Sequence, residues 1–241
     1  MSFEIRFSAV RERIAAAAAR AGRSAADVRL VAVSKTFPPE MVDAALAAGA
    51  AIVGENRVQE ALAKAPLCRS AEWHLIGPLQ RNKIRAAFSL FTTIHSVDSI
   101  HLLRDIARIQ EETGLRPRLL LEVNVAGESS KFGFTPESAR AGIEEALALG
   151  GLSVAGLMTV PPFAADAEAS RPRFAKLREL RDSLEAEFGV ALPELSMGMS
   201  GDYEVAIEEG ATFVRVGSAL FGRRNASAWK PVRSLDTDDA F

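Results

Sequence analysis

The chain has 241 residues, 48% of them hydrophobic and 25% charged, with a formal net charge of -2, the balance of an ordinary globular protein of one large domain or two small ones. That charge excludes an electrostatic case for wrapping nucleic acid or an anionic membrane, and no apolar run approaches the roughly 18 residues of a membrane span. Cys68 is the only cysteine, which excludes intrachain disulfides and cysteine-rich metal sites and fits a reducing cytoplasm.

The opening stretch "MSFEIRFSAVRERIAAAAARAGRS" reads as an amphipathic helix, with Arg11, Glu12 and Arg13 ahead of its alanine run. It lacks the apolar region of a signal peptide, and Glu4 and Glu12 count against a transit peptide. Short β-branched or apolar runs then alternate with longer helical ones. The predicted strands are Val28–Val33, Ala51–Val53, Glu72–Ile76, Thr92–Ile94, Arg118–Val123, Ser153–Met158, Glu194–Met197 and Thr212–Val216. Between them lie helical patterns such as "PPEMVDAALAAG", "SIHLLRDIARIQEETG", "TPESARAGIEEALALG" and "RPRFAKLRELRDSLEAEFG". Pro39 suits a first helical turn and Gly49 a left-handed end; Thr135-Pro136 starts a helix and Gly150 stops it.

Strict alternation of strand and helix argues for a parallel sheet covered by helices. Eight such units match the usual size, about 250 residues, of a (β/α)8 barrel. An open doubly wound sheet usually has fewer strands and a glycine-rich first turn, whereas "VSKTFPP" contains no glycine. The predicted fold is an α/β single (β/α)8 TIM barrel with an additional N-terminal helix, spanning residues 1–222. Residues 223–241, "RRNASAWKPVRSLDTDDAF", read as a polar tail that packs loosely or is disordered, with Trp229 able to pin it to the body.

Functional side chains of a parallel barrel gather at the C-terminal ends of its strands, and the loops after strands seven and eight commonly hold phosphate. Lys35 follows strand one, where the plain alternative is a solvated lysine at a strand edge. Strands seven and eight run into "SMGMSGDYE" and "RVGSALFG", small turns whose N–H groups and hydroxyls suit an anion. Ser200, Gly201, Gly217 and Ser218 are therefore phosphate-cradle candidates; alone, Ser200 reads equally as a helix cap and Gly217 as a tight turn. Strand parity puts Val31, Val33 and Lys35 on one face of strand one, and Phe213, Arg215 and Gly217 on one face of strand eight. Strands one and eight are neighbours in a closed barrel, so an inward Arg215 lies near Lys35 and favours its neutral, nucleophilic form. A lysine for imine formation, a phosphate grip and a nearby arginine suggest a phosphorylated aldehyde, of which pyridoxal 5'-phosphate (PLP) is the commonest. An arginine against the pyridine nitrogen makes the ring a weaker electron sink.

The stretches "VAVSKTFPPE", "GENRVQE", "WHLIGPLQRNK", "GLMTV" and "LSMGMSGDYEVAIEEGATFVRVGSALFG" resemble, in order from Val28 to Gly222, the pyridoxal phosphate homeostasis protein family. The resemblance implies a barrel of the alanine racemase N-terminal type that binds PLP without a well-established reaction. It implies that Lys35 forms the internal aldimine, that Arg215 faces the pyridine nitrogen, and that Ser200, Gly217 and Ser218 take the phosphate, with Asn56 and Met199 lining the cofactor. The tail after Gly222 departs from the family's usual short ending. The function expected is a carrier in intracellular PLP homeostasis, cytoplasmic and monomeric, passing the cofactor transiently to PLP-dependent apoenzymes and touching neither nucleic acid nor membrane.

Other residues carry competing readings. Asn56 with Gln59 resembles a capping box, and serves either as a helix start or in the site. His74 reads as a satisfied core histidine; with His95 and His101 it lacks metal-ligand spacing, so no metal is expected. Glu122 and Asn124 share a strand face opposite Leu119, Leu121 and Val123, as an inward polar rim would. Lys131 is an alternative imine lysine on a loop, and Met197 and Met199 read as packing. Two enzymatic alternatives share these features. A one-domain amino-acid racemase needs acid and base groups on both faces of the substrate, and Tyr203 is the sole tyrosine. A class I aldolase would use Lys35 on a sugar phosphate.

Overall fold

A computed structural model describes residues 2–127, 132–162, 164–222 and Trp229. The strands are β1 (Arg29–Val33), β2 (Ile52–Glu55), β3 (Glu72–Leu75), β4 (Phe91–Val97), β5 (Arg118–Glu122), β6 (Val154–Met158), β7 (Glu194–Met199) and β8 (Phe213–Val216). They pair in parallel in that order and close into a barrel, β8 meeting β1 with Arg215 opposite Val31. The helices are α1 (Phe3–Arg20), α2 (Pro39–Ala47), α3 (Val58–Lys64), α4 (Ile84–Phe88), α5 (Ile100–Thr113), α6 (Pro136–Leu149), α7 (Arg171–Phe188), α8 (Tyr203–Glu208) and α9 (Ser218–Phe221). The (β/α)8 barrel and its extra N-terminal helix are thus present as the alternation of patterns predicts. Among the described residues no helix is long and apolar enough to cross a membrane.

Local chemistry explains the element ends. In α6, Ser138 N donates to Thr135 Oγ1 at 3.1 Å and Thr135 N to Ser138 Oγ at 2.8 Å, a reciprocal cap followed by Pro136 in the first turn. Ser99 caps α5, whose Leu102, Leu103, Ile106 and Ile109 are buried at helical spacing. The last two helices, α8 and α9, are short, and α1 packs against both, burying Phe3, Val10, Ile14, Ala17 and Ala18.

Both faces of the sheet are buried. The outward set, including Leu30, Ala32, Val53, Leu75, Ile94, Leu119, Leu121, Leu157 and Val214, joins the helices in one apolar core. The inward apolar set is small: Val31, Ile52, Leu120, Met158 and Phe213. Barrel interiors are usually filled by bulky branched residues. Here His74, His95, Ser196 and Arg215 are buried instead.

Three expectations need correction. The strand predicted at Thr92–Ile94 extends through Val97: His95 and Ser96 are fully buried, and pairing with β5 resumes at Val97 opposite Leu121 after an irregularity. The strand predicted to end at Met197 reaches Met199. Asn56 does not cap a helix: α3 starts from Arg57 with no side-chain capping bond. Lys131 and, apart from Trp229, the predicted tail over 223–241 lie outside the described residues.

Candidate functional site

Lys35 stands two residues beyond β1, on a backbone gripped from several sides. Ser34 N extends the ladder by donating to the Gly54 carbonyl at 3.1 Å, and Phe37 N closes the turn on the Ser34 carbonyl at 3.0 Å. Thr36 has φ +69°, the only described non-glycine residue in the left-handed region, where a β-branched side chain costs roughly 1–2 kcal/mol. Its N–H donates to Glu60 Oε1 at 2.6 Å, and its carbonyl accepts from Trp229 N at 2.9 Å.

Behind this turn lies a buried ion cluster. The Lys64 ammonium, fully buried, donates to Glu55 Oε1 at 2.6 Å, to Glu60 Oε1 at 3.1 Å and to the Ser34 carbonyl at 3.1 Å. Ser34 Oγ also donates to Glu55 Oε1, at 2.6 Å, while Glu55 Oε2 has no partner. Burial pushes the Glu55 carboxyl up, and the Lys64 charge and hydrogen bond pull it back down. The Trp229 ring lies over Lys64, its centroid 5.2 Å from Nζ. The peptides on both sides of Lys35 are therefore tied to one set of charges that water does not reach.

On the neighbouring strand β8, Arg215 stands opposite Val31 and is 4% exposed. Its Nη1 donates to Ser196 Oγ at 2.5 Å and its Nη2 to the Thr159 carbonyl at 2.8 Å. Burial lowers its pKa to about 10, opposed by the charges of Glu122 and Asp202. Burial likewise raises Glu122 to about 7, with Arg215 pulling down and Asp98 pushing up. Glu122 at the end of β5 is thus part of the electrostatics around Arg215, as an inward polar rim requires.

Near the end of β7, Gly198 has φ +90° and lets α8 approach closely: a Cβ there would lie 2.6 Å from Ala206 Cβ and 2.9 Å from Tyr203 Cα. Asp202 Oδ1 accepts from Met199 N at 2.7 Å, and its Oδ2 accepts from Ser170 Oγ at 3.1 Å. Ser200 Oγ accepts from Gly217 N at 3.1 Å and from Ala219 N at 3.2 Å, joining the turns after β7 and β8. It therefore does not cap α8, which follows Asp202. Gly201 and Gly217 differ from Gly198: neither has positive φ, a Cβ on Gly201 would meet nothing within 4 Å, and one on Gly217 would only touch Val33 at 3.5 Å. Neither backbone strain nor packing demands glycine at these two positions.

These pieces enclose one cavity of about 480 Å³ at the mouth, in the range of small-molecule sites. Lys35, Asn56 and Arg215 line it, as do Met199, Ser200, Gly201, Gly217 and Ser218. All eight residues singled out from the sequence face the same space. Ile76, Val160 and Pro162 add apolar wall. Tyr203 is buried in α8 and is not among the lining residues.

Comparison with known proteins agrees with this geometry. Residues 5–225 match the family model for the alanine racemase N-terminal domain. The pyridoxal phosphate homeostasis protein of Aquifex aeolicus is 47% identical over 221 residues, covering 91% of this chain and 97% of its own. That of Pseudomonas aeruginosa is 45% identical over 222 residues, covering 91% and 94%. PipY of Synechococcus elongatus, solved with PLP bound, superposes with a TM-score of 0.81 at 38% identity, over 92% of this chain and all of that one. The chain belongs to the pyridoxal phosphate homeostasis protein family.

For this family member, sequence reading missed the supports of the site. Glu60 and Lys64 stand four apart on α3, a spacing that suggests an ordinary surface pair. Their burial follows from Lys64 reaching under the Lys35 turn, which no local pattern announces. His74 is the satisfied core histidine expected, but its partner is His95, at 2.9 Å. Spacing along the chain concealed that meeting.

Proposed function

We propose that this protein binds PLP at the barrel mouth, holds it through an imine on Lys35, and serves as a carrier in PLP homeostasis. The observation that carries the reading is the single cavity joining Lys35, the buried guanidinium of Arg215 and the Ser- and Gly-rich turns after β7 and β8. The family's name and the PLP-bound PipY structure support the same ligand. The residues fit the group. At Gly201 and Gly217 a side chain would fill the cavity where a phosphate needs room, and the donors there are the Ser200 and Ser218 hydroxyls with local N–H groups. With α9 only four residues long, these local donors outweigh any helix dipole. Asn56, Met199 and Arg215 also line the cavity, where the first two would flank the ring and the guanidinium, which can only donate, would serve the ring nitrogen.

Bound PLP supplies an aldehyde that an amine captures reversibly with loss of water. Lys35 provides that amine on a clamped turn. A donor-only guanidinium facing the ring nitrogen would keep it unprotonated and so discourage carbanion chemistry. The only tyrosine, Tyr203, does not line the cavity, so it cannot supply the second face's acid in a racemase. In this reading residues 1–222 form the carrier, a monomer in the cytoplasm that hands PLP transiently to apoenzymes, and 223–241 form an appended tail.

The test is to load the purified protein with PLP, reduce it with borohydride and map the modified peptide by mass. A visible absorption band and a reduced adduct on Lys35 are expected, and Lys35→Ala should be colourless. A yellow Lys35→Ala protein, or an adduct on Lys131, would reject Lys35 as the attachment point. Failure to take up PLP at all, with imine trapping of a sugar phosphate instead, would favour the aldolase alternative.

A further inference from the structure

Below the mouth, an unbroken line of hydrogen bonds runs through the barrel interior. Arg215 Nη1 contacts Ser196 Oγ at 2.5 Å, and Ser196 Oγ contacts His95 Nδ1 at 2.7 Å. His95 Nε2 contacts His74 Nδ1 at 2.9 Å, and His74 Nε2 contacts Glu72 Oε1 at 2.8 Å. The five residues come from β8, β7, β4 and β3. His74, His95 and Ser196 are fully buried, whereas the Glu72 side chain is 42% exposed. Phe213 fills the space beside the line, its ring 5.3 Å and 5.2 Å from the two imidazoles, edge to face.

The ends of this line have fixed roles. A guanidinium only donates, so Ser196 Oγ accepts from Arg215. The Glu72 carboxyl is lowered by its hydrogen bond to His74 and stands ionised at neutral pH, so His74 Nε2 must donate to it. Both rings are neutral: burial lowers His74, and it holds His95 well below the ordinary histidine range. At His95 the neighbouring charges act in the same sense as burial, whereas at His74 the hydrogen bond and charge of Glu72 oppose burial more strongly than the arginines reinforce it, and burial outweighs them. Arg29 on β1 and Arg118 on β5 disfavour a proton on either ring and both pair with Glu194 on β7; Arg215 adds to this at His95, and only Glu72 opposes it at His74. A neutral imidazole carries one proton. With His74 Nε2 protonated, His74 Nδ1 accepts from His95 Nε2. His95 Nδ1 is then bare and accepts the Ser196 hydroxyl proton. The four bonds have one consistent arrangement, with every donor pointing from Arg215 toward Glu72.

We propose that Glu72, His74, His95 and Ser196 are positioning residues for Arg215, an ordered proton chain that obliges Ser196 to present a bare lone pair upward and so pins the guanidinium, fully protonated, beneath the cavity. Turning the Ser196 proton the other way requires a charged imidazolium among the arginines, or removal of a proton from Arg215. The line, whose His95–Ser196 step spans 101 residues of sequence, thereby anchors the group that sets the electronic character of whatever ring lies above it. Only that last consequence rests on the PLP reading; the proton order itself does not.

Nitrogen-15 spectra of histidine-labelled, PLP-free protein test the order directly. At pH 7.5 both His74 and His95 should carry their proton on Nε2, and His95 should not titrate between pH 5.5 and 8. The second test follows proton exchange of the Arg215 side chain. Ser196→Ala should speed it about tenfold or more, the scale of a lost hydrogen bond to a charged group, while Ser196→Thr, which keeps the hydroxyl, should restore it. In PLP-loaded protein the visible band should shift in Ser196→Ala and return in Ser196→Thr. A proton on Nδ1 of either ring, or an Arg215 exchange rate unchanged in Ser196→Ala, overturns the proposal. A failure to load PLP would instead refute the functional reading and leave both PLP-free tests decisive.

Discussion

Replacing Lys64 with methionine separates the packing of its stem from the charge at its tip. Methionine keeps much of the aliphatic length but removes the ammonium that meets Glu55 Oε1 at 2.6 Å, Glu60 Oε1 at 3.1 Å and the Ser34 carbonyl at 3.1 Å. Glu55 is fully buried and its Oε2 already has no partner, so the substitution strands a carboxylate out of reach of water. Removing one partner of a buried pair costs roughly 3–5 kcal/mol, against a total stability of about 5–15 kcal/mol for a typical domain. The loss has a defined pH dependence. Burial raises Glu55 and Lys64 lowers it, so without Lys64 the folded-state pKa climbs further. A folded pKa above the unfolded value contributes stability that is fully present below the unfolded pKa and is lost as pH rises through the folded one. The deficit of Lys64→Met relative to the parent should therefore be smallest near pH 4.5 and grow toward neutrality. Urea unfolding followed by circular dichroism across that range measures it. Lys64→Met combined with Glu55→Gln removes the cation and the more deeply buried of its two carboxylates, leaving Glu60, and should recover part of the loss, since the amide oxygen still accepts from Ser34. A deficit below about 1 kcal/mol, one that grows toward acid, or a double variant no better than the single one would refute the account of the cluster.

Other perturbations separate the parts of the site. Ser200→Ala removes the acceptor shared by Gly217 N and Ala219 N; unfolding free energy should fall by about 1 kcal/mol or less, while the PLP dissociation constant, followed by fluorescence titration, rises about tenfold. Thr36→Gly relieves a left-handed backbone worth roughly 1–2 kcal/mol and loses about 0.4–1 kcal/mol through the freer unfolded chain, so urea unfolding should show a change between zero and a small gain; a clear loss would mean that the φ of +69° is not strained. Glu122 should titrate near 7 in carbon-13 spectra, and Arg215→Met should move it upward, because the guanidinium pulls it down. Since its folded value lies above the ordinary 4.5, the contribution of Glu122 to stability should decline as pH rises from 4.5 to 7.

The barrel and its mouth were legible because they follow from periodicity. Strand ends in a parallel barrel converge by construction. Reading only the residues after Val33, Met197 and Val216 was enough to bring Lys35, Ser200 and Gly217 to one cavity. The barrel interior was not legible, for a physical reason. A polar residue in a short apolar run looks like the end of the run, so β4 was cut at Ile94, one residue before His95. Yet a neutral imidazole with a partner on each nitrogen is as acceptable inside as a leucine. Its partners come from strands 21 and 101 residues away, and no spacing rule reaches that far. The Lys64 cluster was hidden differently: Glu60 and Lys64 have the spacing of an exposed helical pair, and only the tertiary position of α3 makes them internal.

The two buried polar networks share a logic. Breaking a buried ion cluster destabilises a protein, yet apolar residues of similar volume often replace the whole cluster without loss. Stability alone therefore does not explain why this barrel keeps a charged triad under one strand end and a hydrogen-bonded line under another. Their placement does. The triad holds the peptides on either side of Lys35 through Ser34 and Thr36, and the line ends on the guanidinium of Arg215. Each network braces one of the two basic residues that line the mouth cavity, Lys35 and Arg215. Thr36 carries a strained backbone in the same place, and strain of that kind persists only where the surroundings over-determine it. A mouth whose two basic residues are held by buried networks on separate strands needs little rearrangement to receive a ligand.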